Sequence, residues 1–291
     1  MSICDLFDKD RRTLSFEVFP PVREGNLDKL YETISELRKL EPDFISVTYG
    51  AGGGTRDMTL EIASKVKNAF RQEVLAHLTC VGSTREDIAE ILRDFKREGI
   101  ENILALRGDP PKGETEFRRT EGGFSYANEL VEFVRERDEF CIGVAGYPEG
   151  HMEAPSLDVD IDNLKRKVDA GADFVITQLF FDNADFYKFR DKAAAKGISV
   201  PIIPGIFPVL NYRQLPRIIS LGGAKIPAAL EGRLCELQDS AGESEKFGID
   251  YAVGQARDLL ENGVRGLHIC CMNRSRTAVE ITKSVGDFRQ K

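Results

Sequence analysis

Cysteine is sparse in this chain. Six cysteines stand among 291 residues, at positions 4, 80, 141, 235, 270 and 271, and no two form a C-x-x-C pair. That usage suits a reduced, cytoplasmic protein whose thiols are mostly core residues. Histidine is scarcer still. His77, His151 and His268 lie on well-separated segments without ligand-type spacing, so no metal site is expected. Positive charge is not in excess: a formal charge of −8 speaks against a nucleic-acid surface. No apolar run reaches the length of a membrane span, and the opening MSICDLFDKDRR lacks the apolar stretch of a signal peptide. No low-complexity stretch or linker divides the chain, so one catalytic domain over 1–291 is expected.

What is present is a repeating alternation. The stretch TLSFEVFPP, Thr13 to Pro21, has the β-branched and aromatic bias of a strand and stops at two prolines. Side chains alternate along a strand, so Ser15, Glu17 and Phe19 point one way and Phe16 and Val18 the other. A helical pattern follows over about 26–40. Then come FISVTYG, EVLAHLTC, NILALRGDPP, CIGVAGYPE, DFVITQLFFD, VPIIPGIFP and GLHICCMNR, with helix-like runs between them. Thr55 is placed to cap one helix, and Thr84 with Asp87 reads as a capping box for the next. Near the end an extra helix is expected over about 226–237, then a surface loop at SAGESEKFG and a long helix over about 249–262. Eight strand–helix units predict an α/β fold of the (β/α)8 TIM-barrel type, with that extra helix before the last unit. A doubly wound open sheet is the alternative. It usually shows G-x-G-x-x-G after its first strand, whereas this one ends in prolines.

In such barrels the site lies at the carboxyl ends of the strands. Polar residues gather there: Glu17, Thr48, Tyr49, His77, Arg107, Asp109, Tyr147, Gln178 and Arg274. Each alone has a bland account. His77 reads as a satisfied core imidazole, Arg107 and Asp109 as a mutual pair, Gln178 as a loop tie and Arg274 as a helix cap. One end of a barrel rarely needs so many for structure. The loop Gly50-Ala51-Gly52-Gly53-Gly54 offers backbone N–H groups to an anion, though a plain turn explains it as well. Asp160, Asn163 and Lys167 share one helix face, flanked by Arg166. That set suits a phosphate and a ribose, and equally a solvated surface.

The motifs SFEVFPP, FISVTYGAGGG, HLTC, ALRGDPP, YPEGH, NLKRKVDAGADFVITQLFFD and PGIFPV together resemble the bacterial-type 5,10-methylenetetrahydrofolate reductases, in that family's order and over nearly the whole chain. The resemblance implies a (β/α)8 barrel with non-covalent FAD. It implies reduction of 5,10-methylenetetrahydrofolate to 5-methyltetrahydrofolate, in one-carbon metabolism and methionine biosynthesis. Glu17 would be the acid that protonates the folate N10, its carboxyl raised by burial among aromatics, and Asp109 would tune the flavin and bind folate. Gln178, Gln214 and Arg274 would also hold folate, with Gln178 and Thr48 near the nicotinamide. FAD would be held by Tyr49, Ala51, His77, Arg107, Gly108, Asp109, Tyr126, Ala127, Tyr147, His151, Ala154, Asp160, Asn163, Arg166 and Lys167.

Ile218 and Cys270 stand where bacterial members carry aromatics, so the donor is left as NADH, NADPH or a partner electron-transfer subunit. Few residues follow the barrel, from which no S-adenosylmethionine regulation is expected. A homo-oligomer is left open. Two readings of other classes stand beside the first: a folate-binding or methyl-transfer barrel without a redox step, and an electron-accepting subunit of a larger reductase complex.

Overall fold

Runs rich in Val, Ile and Phe form strands here because both of their faces are buried, the pattern of an all-parallel sheet. A computed structural model describes residues 1–7, 11–21, 27–49, 56–110, 113–114 and 116–289, without the side chains of Arg56 and Leu221. The strands are β1 (Thr13–Val18), β2 (Phe44–Val47), β3 (Val74–Thr79), β4 (Asn102–Leu106), β5 (Cys141–Gly146), β6 (Phe174–Thr177), β7 (Ile202–Ile203), β8 (Gly205–Ile206) and β9 (Gly266–Cys270). All pair in parallel, in the order β7-β6-β5-β4-β3-β2-β1-β9-β8.

The expected seventh strand is thus two pieces. Pro204 separates them and has no N–H to give to a ladder. β7 bonds to β6 and β8 bonds to β9, while His268 N donates to Pro204 O at 3.0 Å across the break. The chain itself therefore closes the ring, and the barrel stands as expected with a broken seventh stave.

Helices cover the outside: α2 (Leu27–Arg38), α3 (Arg56–Ser64), α4 (Arg85–Arg97), α5 (Ala127–Arg135), α6 (Leu157–Asp169), α7 (Asn183–Ala195), α8 (Leu215–Gly222), α9 (Ala228–Glu236), α10 (Ala241–Glu261) and α11 (Ser275–Val285). The capping box at α4 is made on both sides. Asp87 N donates to Thr84 Oγ1 at 3.1 Å, and Thr84 N donates to Asp87 Oδ2 at 2.8 Å. Thr55 lies outside the described residues. The extra helix is α9. The loop expected at SAGESEKFG is instead the first part of α10. Ser244 and Gly248 are buried there, and a Cβ on Gly248 would lie 1.8 Å from Val209 O. Tertiary packing against the segment after β8 overrides the polar, glycine-bearing sequence.

Two apolar layers result. Phe16, Val18, Ile45, Val47, Ala76 and Leu78 face outward under the helices. Inside the barrel, Phe44, Leu75, Leu104, Phe174 and Ile203 fill the lower half. A short helix not anticipated from the sequence, α1 (Cys4–Phe7), closes the amino-terminal floor. Ile3, Leu6 and Phe7 join the inner cluster, and the Phe7 ring lies 5.3 Å from that of Phe174. Ile3 N donates to Asn102 Oδ1 at the start of β4. Each such side chain, fully buried, contributes roughly 1.5–3 kcal/mol.

The cysteines depart in part from the reduced set expected. Cys80, Cys235, Cys270 and Cys271 are free, but Cys4 is joined to Cys141 in a disulfide that ties α1 to β5. The pairing follows from α1 folding under the barrel, a long-range contact invisible in cysteine spacing. Among the described residues, no helix is long and apolar enough to cross a membrane.

Candidate functional site

Glu17 owes its position to strand alternation and register. Phe16 and Val18 point into the helix layer, fully buried, so Ser15 and Glu17 point into the barrel. Pairing sets Glu17 beside Ser46 on β2 and Cys270 on β9. The Glu17 side chain is 18% exposed, and what exposure it has is to a cavity of about 640 Å³ at the carboxyl ends of the strands.

Three side chains converge on that carboxyl. His77 Nε2 lies 3.6 Å and His268 Nε2 3.7 Å from Oε2, while Cys270 Sγ donates to Oε1 at 3.3 Å. Each imidazole also meets a serine, His77 at the nitrogen that faces Glu17 and His268 at its other one. Ser46 Oγ is 2.8 Å from His77 Nε2, and Ser15 Oγ is 2.8 Å from His268 Nδ1. Ser15 Oγ also donates to Leu267 O at 3.3 Å, and His268 turns its other ring nitrogen, Nε2, toward Glu17. That nitrogen is buried without a hydrogen-bond partner among the described residues. Cys271 Sγ points the other way and donates to Glu17 O at 3.2 Å.

The charge state of this cluster differs from the sequence expectation. Burial does push the Glu17 carboxyl up, but His268, the charge available to His77 and the Cys270 thiol outweigh it. The carboxyl sits below its ordinary value. Burial lowers His77 to about 4 against the opposing pull of Glu17. Without a ligand, an ionised Glu17 therefore faces a neutral His77 at pH 7.

The other wall is built by β4, β5 and α6. Arg107 forks onto Glu153 through NH1–Oε2 at 2.5 Å and NH2–Oε1 at 2.7 Å, and its guanidinium stacks over Phe117 at 4.8 Å. Gly108, with φ +88°, turns the chain where a Cβ would meet Val81 Cγ1 at 2.6 Å. Lys167 Nζ donates to Ala145 O at 2.5 Å, and burial lowers its amine to about 8 against the support of Asp160. Burial raises Asp160 in turn, partly offset by Lys167. Tyr147 and His151 meet edge to face at 4.7 Å, and burial, then Arg107, lowers His151. Tyr126 is 60% exposed and offers its ring on the same wall.

Of the residues expected from the sequence, Glu17, Thr48, Tyr49, His77, Arg107, Gly108, Asp109, Tyr126, Ala127, Tyr147, His151, Ala154, Asp160, Asn163, Arg166, Lys167 and Gln178 line this one cavity. Ala51 and its glycine loop lie outside the described residues. Two others are not brought to the wall. Gln214 Oε1 accepts from Leu210 N at 2.8 Å and ties its own loop, and Arg274 is an exposed residue at the N-cap of α11. The cavity also takes in Asn128, Glu153, Pro155 and His268, which sequence reasoning did not assign. Period-2 alternation from Cys270 along β9 would have found His268. The Glu153 contact with Arg107 has no local signal.

The donor set fits a dinucleotide. Lys167, Arg166 and Arg107 would supply cations for a pyrophosphate, Asp160 and Asn163 would supply acceptors for ribose hydroxyls, and tyrosine rings flank the space.

Comparison with known proteins agrees with this geometry. A family model described as methylenetetrahydrofolate reductase matches residues 2–286. Methylenetetrahydrofolate reductase (NADH) 1 of Arabidopsis thaliana is 40% identical over 290 residues, covering 96% of this chain and 49% of the plant protein. The 5,10-methylenetetrahydrofolate reductase of Escherichia coli K12 is 39% identical over 273 residues, covering 94% and 90%. The chain thus spans about half the length of the plant relatives and nearly all of the bacterial one. Among solved structures, an uncharacterised Clostridium thermocellum protein that binds two copies of 5-methyl-5,6,7,8-tetrahydrofolic acid superposes with TM-score 0.64 at 13% identity, covering 96% of each chain. A 2,3-dimethylmalate lyase follows at TM-score 0.54 and 11% identity, and both show the shared barrel fold alone. By the match along its length and by its bacterial relatives, the chain belongs to the methylenetetrahydrofolate reductase family.

Proposed function

We propose that this chain binds FAD and reduces 5,10-methylenetetrahydrofolate to 5-methyltetrahydrofolate, with Glu17 as the general acid. What carries the reading is a carboxylate four-fifths covered at the wall of a large cavity whose far side sets Arg107, Arg166 and Lys167 among Asp109, Glu153 and Asp160. Bound there, the flavin would supply a hydride, chemistry no side chain offers. Arg107, Arg166 and Lys167 would hold its phosphates and Asp160 and Asn163 its ribose.

The chain's own work is protonic. Glu17 gives its proton to N10 of the folate as the bond from N10 to the bridging carbon breaks, leaving a cationic N5-methylene group to accept the hydride. In the ligand-free site the neighbours of Glu17 hold it ionised. A flat ring over the cavity removes its remaining water and moves the carboxyl upward, toward the protonated form an acid needs. Asp109, exposed on the cavity wall, would bind the pterin and disfavour negative charge on the nearby flavin. NADH is the donor this reading favours, since the plant relatives at 39–40% identity carry it in their names.

Two measurements test it. Purified protein should be yellow or take up FAD, and a chain that binds folate but no flavin would point to a barrel without redox chemistry. Glu17→Gln should abolish reoxidation of the reduced flavin by folate yet spare flavin reduction by NADH. Equal loss of both half-reactions would remove Glu17 from its assigned role.

A further inference from the structure

We propose that the Cys270 thiol is a positioning residue for Glu17, fixing one carboxyl oxygen by an S–H···O bond and so holding the acid in place at the cavity wall. The inference rests on the reading of Glu17 as the acid.

The geometry is specific. Cys270 is the register partner of Glu17 across β1 and β9, and both side chains line the cavity. Sγ lies 3.3 Å from Oε1, within reach of a sulfur donor, whereas the two imidazole nitrogens stand 3.6 and 3.7 Å from Oε2. The titratable side chains facing the carboxyl are His77 from β3 and His268 and Cys270 from β9, with Cys271 on the backbone side. The thiol is thus the neighbour that engages one oxygen and leaves the other turned to the histidines.

Sulfur suits the task. An S–H group is a weak donor, so it orients the carboxylate while opposing its protonation less than a hydroxyl or an imidazolium would. The carboxylate acts back on the thiol. Burial, and then the charge of Glu17, hold Cys270 well above its ordinary value, so it stays protonated. A thiolate is the nucleophilic form. A thiol held neutral beside Glu17 keeps its donor hydrogen and does not attack an electrophilic one-carbon group bound in the same cavity.

The test has two arms. In the first, the pH dependence of flavin reoxidation by folate is measured for the wild type, Cys270→Ala and Cys270→Ser. Loss of the donor destabilises the carboxylate, so Cys270→Ala should move the inflection to higher pH by about half a unit and slow the plateau several-fold. Cys270→Ser, with a donor restored on the same Cβ, should return the inflection toward the wild-type position. Reduction of the flavin by NADH should be unchanged in both. In the second arm, iodoacetamide labelling of Cys270 is followed by mass spectrometry in flavin-free wild type and Glu17→Gln. Removing the carboxylate should speed labelling at least threefold.

An unmoved inflection in Cys270→Ala, or equal labelling rates, overturns the proposal while leaving Glu17 as the acid. If Glu17→Gln itself reoxidises normally with folate, the underlying reading fails instead.

Discussion

Replacing His77 by Gln isolates one proton's effect on the barrel. His77 is 6% exposed and its Nε2 is held 2.8 Å from Ser46 Oγ, contacts a glutamine amide can largely keep. In the folded protein it titrates near 4, and in the unfolded chain near 6.5. A histidine with a depressed folded value is a liability in acid. The unfolded chain takes up the proton first, so stability is lost as pH falls from about 6.5 toward 4. Linkage over that interval gives a loss of about 2 kcal/mol at pH 5, rising to roughly 3 kcal/mol below pH 4. In the wild type Glu17 adds little over this interval. Its depressed carboxyl stabilises the fold above its ordinary value of 4.5, and that contribution is lost only at lower pH. Thermal unfolding of the flavin-free protein, wild type against His77→Gln, reads the effect. Between about pH 7.5 and pH 5 the wild type should lose about 4–8 °C more in Tm than the variant. Parallel losses would show that His77 is not held neutral by burial, and the account of an ionised Glu17 beside a neutral imidazole would fall with it.

One further outcome follows from the same balance of burial and charge, and another from the disulfide at the barrel floor. Lys167→Met removes an amine that burial lowers to about 8, so Tm at pH 7 should rise by a few degrees while FAD affinity falls. A variant that loses both would mean the amine supports the fold rather than a ligand. Cys4→Ser unties α1 from the barrel floor, and loss of the Cys4–Cys141 bond should cost roughly 2–4 kcal/mol of stability. Thiol titration of the unfolded, non-reduced wild type should count four free thiols, and a count of six would refute the tie.

Much of the barrel was legible because its signals are local. The parallel strands announce themselves as doubly buried apolar runs, and Thr84 with Asp87 marks a helix start that the structure reproduces. The inward direction of Glu17 follows from alternation with Phe16 and Val18 alone. What sequence missed is set by distant partners. The break at Pro204 depends on two different neighbours, and the start of α10 depends on Gly248 meeting Val209. The charge of Glu17 could not be read from its flanking phenylalanines, because register on β9 and β3 brings the groups that oppose burial. Gln214 and Arg274, assigned by resemblance, sit off the cavity wall because one ties its own loop and the other begins a helix.

The floor closed by Ile3, Leu6 and Phe7 has a consequence for traffic. Among the described residues the rear is filled by these side chains and the cavity lies at the opposite end, so whatever gives to the pocket and whatever takes from it meet on that one face. The sequence of arrivals and departures is constrained by the shape of the shell before any bond is made.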